Sequence, residues 1–252
     1  MVEVHGYRIQ MLLQGHGSPT VVFINAGFGG SYEIWDRVNP AISGFTSTVA
    51  YNRGGTWKSD PAPLPRDSQH IADELHIALR NAGVKPSYVV VGASLGGIHA
   101  RVFAHSYPED IAGIVLLDPT AEDFEYELKR RNPRMWEEAQ KQYGELASQF
   151  SDPNAVGRNE YLSLETDYEQ ARNAFPLPEV PVVLISARRA GSDIPDSPNN
   201  ISLDLHERFV KQVPGAQHIT TDKSAHLIMR DDPQLVVDTV KEVVDRARKH
   251  LR

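Results

Sequence analysis

The chain predicts an α/β architecture: a mostly parallel sheet covered by helices on both faces. Short unbroken apolar runs at residues 21–24, 88–91, 114–117 and 180–186 have the signature of strands buried on both sides, and they alternate with stretches of helical periodicity. The segments richest in chemistry are residues 25–30, 52–60 and 92–97, Asp118, and the loop holding His226; each begins where a predicted strand ends. Ligands of such sheets gather at the carboxyl ends of the strands, so these segments converge on one edge.

Taken in order, residues 2–5 and 8–14 alternate and meet at Gly6-Tyr7, an opening hairpin. The run 21–24 ends in Asn25-Ala-Gly-Phe-Gly-Gly30, a glycine-rich loop leading into a helix over 34–41. Residues 48–51 are the next strand, followed by Asn52-Arg-Gly-Gly-Thr-Trp-Lys-Ser-Asp60 and a proline-rich loop. Within 66–82, Ile71, Leu75, Ala78, Leu79 and Ala82 form a helical stripe that Gly83 closes. Strand 88–91 enters Gly92-Ala-Ser-Leu-Gly96 and a helix reaching Tyr107, and strand 114–117 stops at Asp118-Pro119. Residues 120–178 break the rhythm. They carry many charges, scattered large apolar side chains such as Phe124, Trp136 and Phe175, and no strand signal, which predicts two to four helices inserted between consecutive strands. The rhythm resumes with strand 180–186, a loop through Asn200, a helix near 203–213, a strand near 217–220 and a last helix from Pro233.

Bulk properties narrow the functional classes. The 252 residues suit one large α/β domain, with no linker-like stretch to divide them. An apolar fraction of 40% with 23% charged residues is that of a chain able to bury a sizeable core. A formal net charge of −7 argues against a nucleic-acid or anionic-membrane surface as partner. The absence of cysteine removes disulfides and thiolate chemistry together. The first residues show no basic segment followed by an apolar run, and no apolar stretch approaches the ~20 residues of a membrane span, so a cytoplasmic location is expected.

Gly92-Ala-Ser-Leu-Gly96 is a G-x-S-x-G segment with a strand before it and a helix after it, the context its chemistry requires. The turn leaves little room for side chains at Gly92 and Gly96 and lifts the Ser94 hydroxyl out of the sheet. A serine hydroxyl is a weak nucleophile near neutral pH and needs a base that is itself oriented by a third group. His226, just past the last predicted strand, is the expected base; His218, on or beside that strand, is its rival, and the remaining histidines of the predicted helices have structural readings. For the acid, Asp118 ends the strand after the serine's helix and is favoured over Asp193, behind which lies Asp196. A developing oxyanion needs two donors. The Leu95 N–H at the first turn of the helix is one, and the Phe28 N–H in the glycine-rich loop is the expected second. That loop lacks the lysine of a P-loop and the G-x-G-x-x-G of a dinucleotide site.

These residues resemble the α/β-hydrolase superfamily, in particular its esterase-like members with a helical cap after the sixth strand. Gly92-Ala-Ser-Leu-Gly-Gly97 looks like the nucleophile elbow and residues 25–30 like the oxyanion loop. Tyr51-Asn-Arg-Gly-Gly with Ser59-Asp60 is similar to the family's Y-D-R-x-G…S-D block, and Ile114-Val-Leu-Leu-Asp118 and Ser224-Ala-His226 complete the likeness. The resemblance implies an eight-stranded sheet, a core of residues 1–118 and 179–252, and a cap of residues 119–178. Family members place the acid after the sixth or the seventh strand, and this sequence fits the sixth, which strengthens Asp118. Ala93 stands where histidine is frequent, Ala26-Gly27 where His-Gly is usual, Asn52 for a frequent aspartate, and Trp57-Lys58 where small or aromatic residues are common; all of these are positions expected to line or support the pocket. Arg53 is read as support for the loops.

The expectation is a hydrolase of a carboxylic ester or lactone acting through an acyl-serine, monomeric or homodimeric, with no cofactor and no metal. A serine at the elbow argues against the dehalogenase and epoxide-hydrolase branches, which need a carboxylate there. Carbon–carbon bond hydrolysis and cofactor-free perhydrolysis remain alternatives on the same triad. A ligand-sensing protein on the same scaffold, with little turnover, is the alternative from another class.

Overall fold

Two-sided burial of the strands dictates the layering. A computed structural model describes residues 1–149, 156–188 and 195–250. Its sheet comprises β1 (Val2–Val4), β2 (Tyr7–Gln14), β3 (Thr20–Ile24), β4 (Thr48–Asn52), β5 (Tyr88–Ala93), β6 (Ile111–Leu117), β7 (Val182–Ala187) and β8 (Gln217–Thr221), in the order β1-β2-β4-β3-β5-β6-β7-β8. The pairs β1/β2 and β2/β4 are antiparallel and the remainder parallel. Ten helices accompany them among the described residues. They are α1 (Asn39–Ser43), α2 (Ser68–Asn81), α3 (Leu95–Ser106), α4 (Phe124–Arg131), α5 (Pro133–Gln149), α6 (Val156–Leu162), α7 (Leu164–Asn173), α8 (Pro198–Gln212), α9 (Ile228–Asp231) and α10 (Pro233–His250).

Alternate residues of each central strand feed opposite cores. Val22, Ile24, Val90 and Leu116 pack with Leu75, Leu79 and Phe103 of α2 and α3. Val21, Phe23, Val91 and Val115 pack with Val236, Val240 and Val243 of α10. Both sets are fully or almost fully buried, which is why these strands read as unbroken apolar runs rather than as alternations. Of the inserted helices α4–α7, which lie between β6 and β7, α7 joins the α2/α3 core through Tyr168 and Ala171, whereas α4 packs with α8 in a small separate cluster at Leu128, Ile201 and Leu205.

Two elements differ from expectation. The helix expected over 34–41 is a 3-10 turn, Tyr32–Trp35, followed by the short α1. Pro40 sits in the first turn of α1, where its missing N–H costs nothing, so it starts a helix and does not continue one. In the same way α8 begins at Pro198, inside what reads as loop; Ser197 caps it by accepting from the Asn200 N–H at 3.2 Å.

Candidate active site

Ser94 occupies the turn from β5 into α3 with φ 53° and ψ −126°, a conformation that costs a non-glycine residue energy and that only its surroundings can enforce. Those surroundings explain both glycines. A Cβ on Gly92 would run into the Gly96 carbonyl, and one on Gly96 into the Asn25 carbonyl oxygen at the end of β3. The turn is therefore wedged against the neighbouring strand. Its backbone is tied down as well, the Ser94 N–H donating to Leu117 O at 3.1 Å and the Thr120 N–H donating to Ser94 O at 3.0 Å.

Strand register brings Asp118 alongside. Ala93 pairs with Leu117 and Leu117 with Ile185, so Ser94 and Asp118 leave the sheet side by side. Asp118 has φ 40° and a side chain only 4% exposed. Its Oδ1 accepts from the Ala187 N–H at 3.1 Å, which leaves Oδ2 aimed at His226 Nδ1, 2.6 Å away. With a carboxylate there, Nδ1 carries the proton and Nε2 presents a lone pair to Ser94 Oγ at 3.0 Å. His226 itself stands in a loop pinned by two aspartates: Ser224 Oγ donates to Asp231 at 2.8 Å and Thr221 Oγ1 to Asp232 at 2.8 Å.

The competing residues are elsewhere. His218 lies on β8 and meets Ser186 Oγ at 2.7 Å, in a chain that continues through His206 to Pro119 O. Asp196 accepts from Arg131 Nε at 2.6 Å. Asp193 lies outside the described residues. Trp57 and Lys58, expected near the pocket, are exposed, Trp57 by 64%, while Ser59 anchors the same loop by donating to Asn52 O at 2.7 Å. Asn52 does support the loops: its Oδ1 accepts from the Tyr32 N–H at 2.8 Å.

Opposite His226, the loop after β3 turns through Phe28 at φ 58°. Asn25 braces it, with Nδ2 donating to Tyr51 O at 2.7 Å and Oδ1 accepting from the Trp35 indole at 2.8 Å. Phe28, Ser94, Leu95 and His226 line one cavity of about 620 Å³. The Phe28 and Leu95 backbone N–H groups have no acceptor among the described residues and are free to meet a ligand oxygen. Further walls come from Phe124, Leu164, Tyr168 and Leu227, with Thr120, Glu125, Ser202 and His206 adding polar groups. Burial raises the Glu125 carboxyl above its ordinary value, with a smaller raising contribution from the nearby Glu165.

Sequence reasoning did not single out Glu125, Tyr168, Ser202 or His206 as cavity residues, because helical periodicity tells which side of a helix is buried but not against what. It also missed two buried polar groups behind the cavity. Burial pushes Asp167 up to about 7 despite hydrogen bonds from the Ser68 N–H and hydroxyl, and the adjoining His99 is held well below the ordinary imidazole value by burial and by Arg53. Burial would lower the Arg53 pKa, yet the Glu160 carboxylate against it keeps the guanidinium above its usual value.

A strained serine at a strand–helix elbow, a histidine bridging it to a buried aspartate, and two unengaged N–H groups thus share one cavity at the carboxyl edge of the parallel sheet. A family model described as the alpha/beta hydrolase fold matches residues 19–237, and the chain belongs to that family. A solved thermophilic esterase from Thermogutta terrifontis superposes with a TM-score of 0.63 at 17% identity, covering 96% of this chain and 94% of that one. Est816, described as an N-acyl homoserine lactone degrading enzyme, gives 0.62 at 16% identity, over 96% and 99%. At these identities the likeness is one of fold. Among curated proteins, the probable transporter efuK of Hormonema carpetanum is 34% identical over 145 residues, 54% of this chain and 20% of that protein. The chain spans less than half the length of the curated relatives it matches.

Proposed function

We propose that the protein is a serine hydrolase that cleaves a carboxylic ester or lactone through an acyl-serine intermediate. The observation that carries this reading is the unbroken hydrogen-bonded line from Ser94 Oγ through His226 to Asp118, at 3.0 and 2.6 Å, opening on a cavity beside two free N–H groups. A solved esterase and a lactone-degrading enzyme share the fold, so the scaffold is compatible with ester or lactone cleavage.

In this mechanism His226 Nε2 takes the Ser94 proton as Oγ attacks the carbonyl carbon. The negative charge moves to the carbonyl oxygen, where the Leu95 N–H, at the start of α3, and the Phe28 N–H stabilise it. Asp118 holds the imidazole in the productive tautomer and stabilises the imidazolium. Collapse of the tetrahedral intermediate expels the alcohol, which takes its proton from His226, and a water molecule then releases the acid by the same steps in reverse. In a lactone, the alcohol stays tethered to the acyl group. The inserted helices act as the cap, and their apolar walls favour a moderately apolar acyl or alcohol group. The same reading has the protein working as a monomer or homodimer on a small molecule in the cytoplasm, without cofactor.

The test is a fluorophosphonate label combined with a p-nitrophenyl ester and lactone panel. Labelling of Ser94 and a burst of p-nitrophenol, both lost in Ser94→Ala, are expected. Tight ligand binding without turnover, unchanged in Ser94→Ala, would replace this reading with a ligand-sensing one.

A further inference from the structure

Behind the loop that carries Phe28, two side chains of opposite charge meet with no exposed surface at all. Arg53 follows β4, and Glu160 lies on α6 among the inserted helices. They pair in bidentate fashion, Nε to Oε1 at 2.7 Å and Nη2 to Oε2 at 3.1 Å. Their remaining contacts all fall on the same loop. Arg53 Nη1 donates to Asn25 O at 3.1 Å and Nη2 to Ala26 O at 2.9 Å, and the Gly29 N–H donates to Glu160 Oε2 at 3.0 Å. The pair thus grips the peptide groups on either side of the Gly27–Phe28 peptide that carries the Phe28 N–H. Tyr161, the next residue of α6, packs its ring against the Phe28 ring at 6.2 Å between centroids.

A buried ion pair contributes little net stability, since desolvating both charges offsets most of their attraction. What this one supplies is direction. Phe28 holds a left-handed φ of 58°, and the aim of its N–H follows from how the flanking peptide groups are fixed. Two carbonyls are fixed by Arg53 and one N–H by Glu160. Only Glu160 comes from the inserted helices, so it couples their seating to the oxyanion loop.

We propose that Glu160, acting through Arg53 and the Gly29 N–H, is a positioning residue that lets α6 set the aim of the Phe28 N–H at the oxyanion. The proposal rests on the serine-hydrolase reading above. It makes oxyanion stabilisation depend on the insertion being seated, so substrate-induced displacement of α6 would switch the hole off without touching Ser94, His226 or Asp118.

The experiment compares the parent protein with Glu160→Gln and with Glu160→Asp, which keeps the charge on a shorter arm. For each, kcat and KM are measured on a p-nitrophenyl ester, along with the affinity for an aryl boronic acid and for the matching neutral ketone, and the melting curve. In Glu160→Gln, kcat is expected to fall on the order of 10–100-fold with KM within about threefold, as for a donor displaced but not deleted. Boronate affinity should fall by the same factor as kcat/KM while ketone binding holds, and Glu160→Asp should lie between. An unchanged kcat, or a loss of kcat without loss of boronate affinity, would overturn the proposal. So would a failure of both variants to fold, which would make the pair a folding determinant only. If the parent itself shows neither turnover nor Ser94 labelling, the serine-hydrolase reading fails instead, a result separate from any of these.

Discussion

Six non-glycine residues among those described have positive φ, and Phe28, Ser94 and Asp118 are three of them. Each stands at the carboxyl end of a parallel strand, where the chain must swing a functional group over the sheet edge. Strain of this kind persists only where the surroundings over-determine the backbone, as do the bonds here from the Ser94 N–H to Leu117 O and from the Asp118 N–H to Ile185 O. Substitutions should therefore separate by role. Asp118→Asn preserves shape but favours the wrong imidazole tautomer, so kcat should drop by about 10²–10⁴ with little change in KM, as steady-state kinetics on an ester would show. Asp193→Asn should leave both constants within about twofold, and the opposite ranking would move the acid to the loop after β7. His218→Gln breaks a hydrogen bond to Ser186, away from Ser94, and should retain activity.

At the level of elements, the elbow is the tightest junction. Gly96 lies so close to the end of β3 that an added methyl meets backbone, which cannot rotate aside. Gly96→Ala should cost about 1–3 kcal/mol or more in urea unfolding and should slow fluorophosphonate labelling by tilting the Leu95 N–H. A variant with parental stability and labelling would show that the packing there is looser than described. The strand–helix sequence was legible because two-sided burial forces unbroken apolar runs and one-sided burial forces a 3.6-residue stripe. The misread boundaries, at α1 and α8, both involve proline at a helix start, which the eye takes for a break. Within residues 120–178 only the presence of helices was legible. That Glu160 and Asp167 point inward from those helices, and meet Arg53 and Ser68, has no local signature: an acidic residue on a helix ordinarily faces water.

At the level of the whole molecule, that inward Asp167 links stability to pH. Burial raises its carboxyl from an ordinary 3.8 to about 7, so the folded state holds the proton more tightly than the unfolded chain does. The group's contribution to stability is full below about pH 4 and is lost as the pH rises through about 7. Asp167→Asn, which stays neutral and can still accept from Ser68, removes this dependence. The stability of the variant relative to the parent should therefore improve between about pH 4 and pH 7, by up to about 1.4 kcal/mol per pH unit in urea titrations, and level off above pH 7. A difference that stays flat with pH would mean that Asp167 is ionised throughout. No helix among the described residues is long and apolar enough to cross a membrane.

The sequence by itself determined the fold class, the place of the elbow and the serine at its apex, because each of these is written in local physical demands: burial pattern along a strand, and glycine where a turn meets backbone. It narrowed the base and the acid to short lists, since His226 and Asp118 are 108 residues apart and nothing local relates them. Only the tertiary structure decided which histidine meets Ser94 and which aspartate meets that histidine, the register that sets Ala93 beside Leu117 and Leu117 beside Ile185 bringing Asp118 next to the elbow. It alone also showed that the loop bearing Phe28 is held from two sides by Arg53 and Glu160, because the cost of burying a charge is settled by the partner it finds across the fold, 107 residues away.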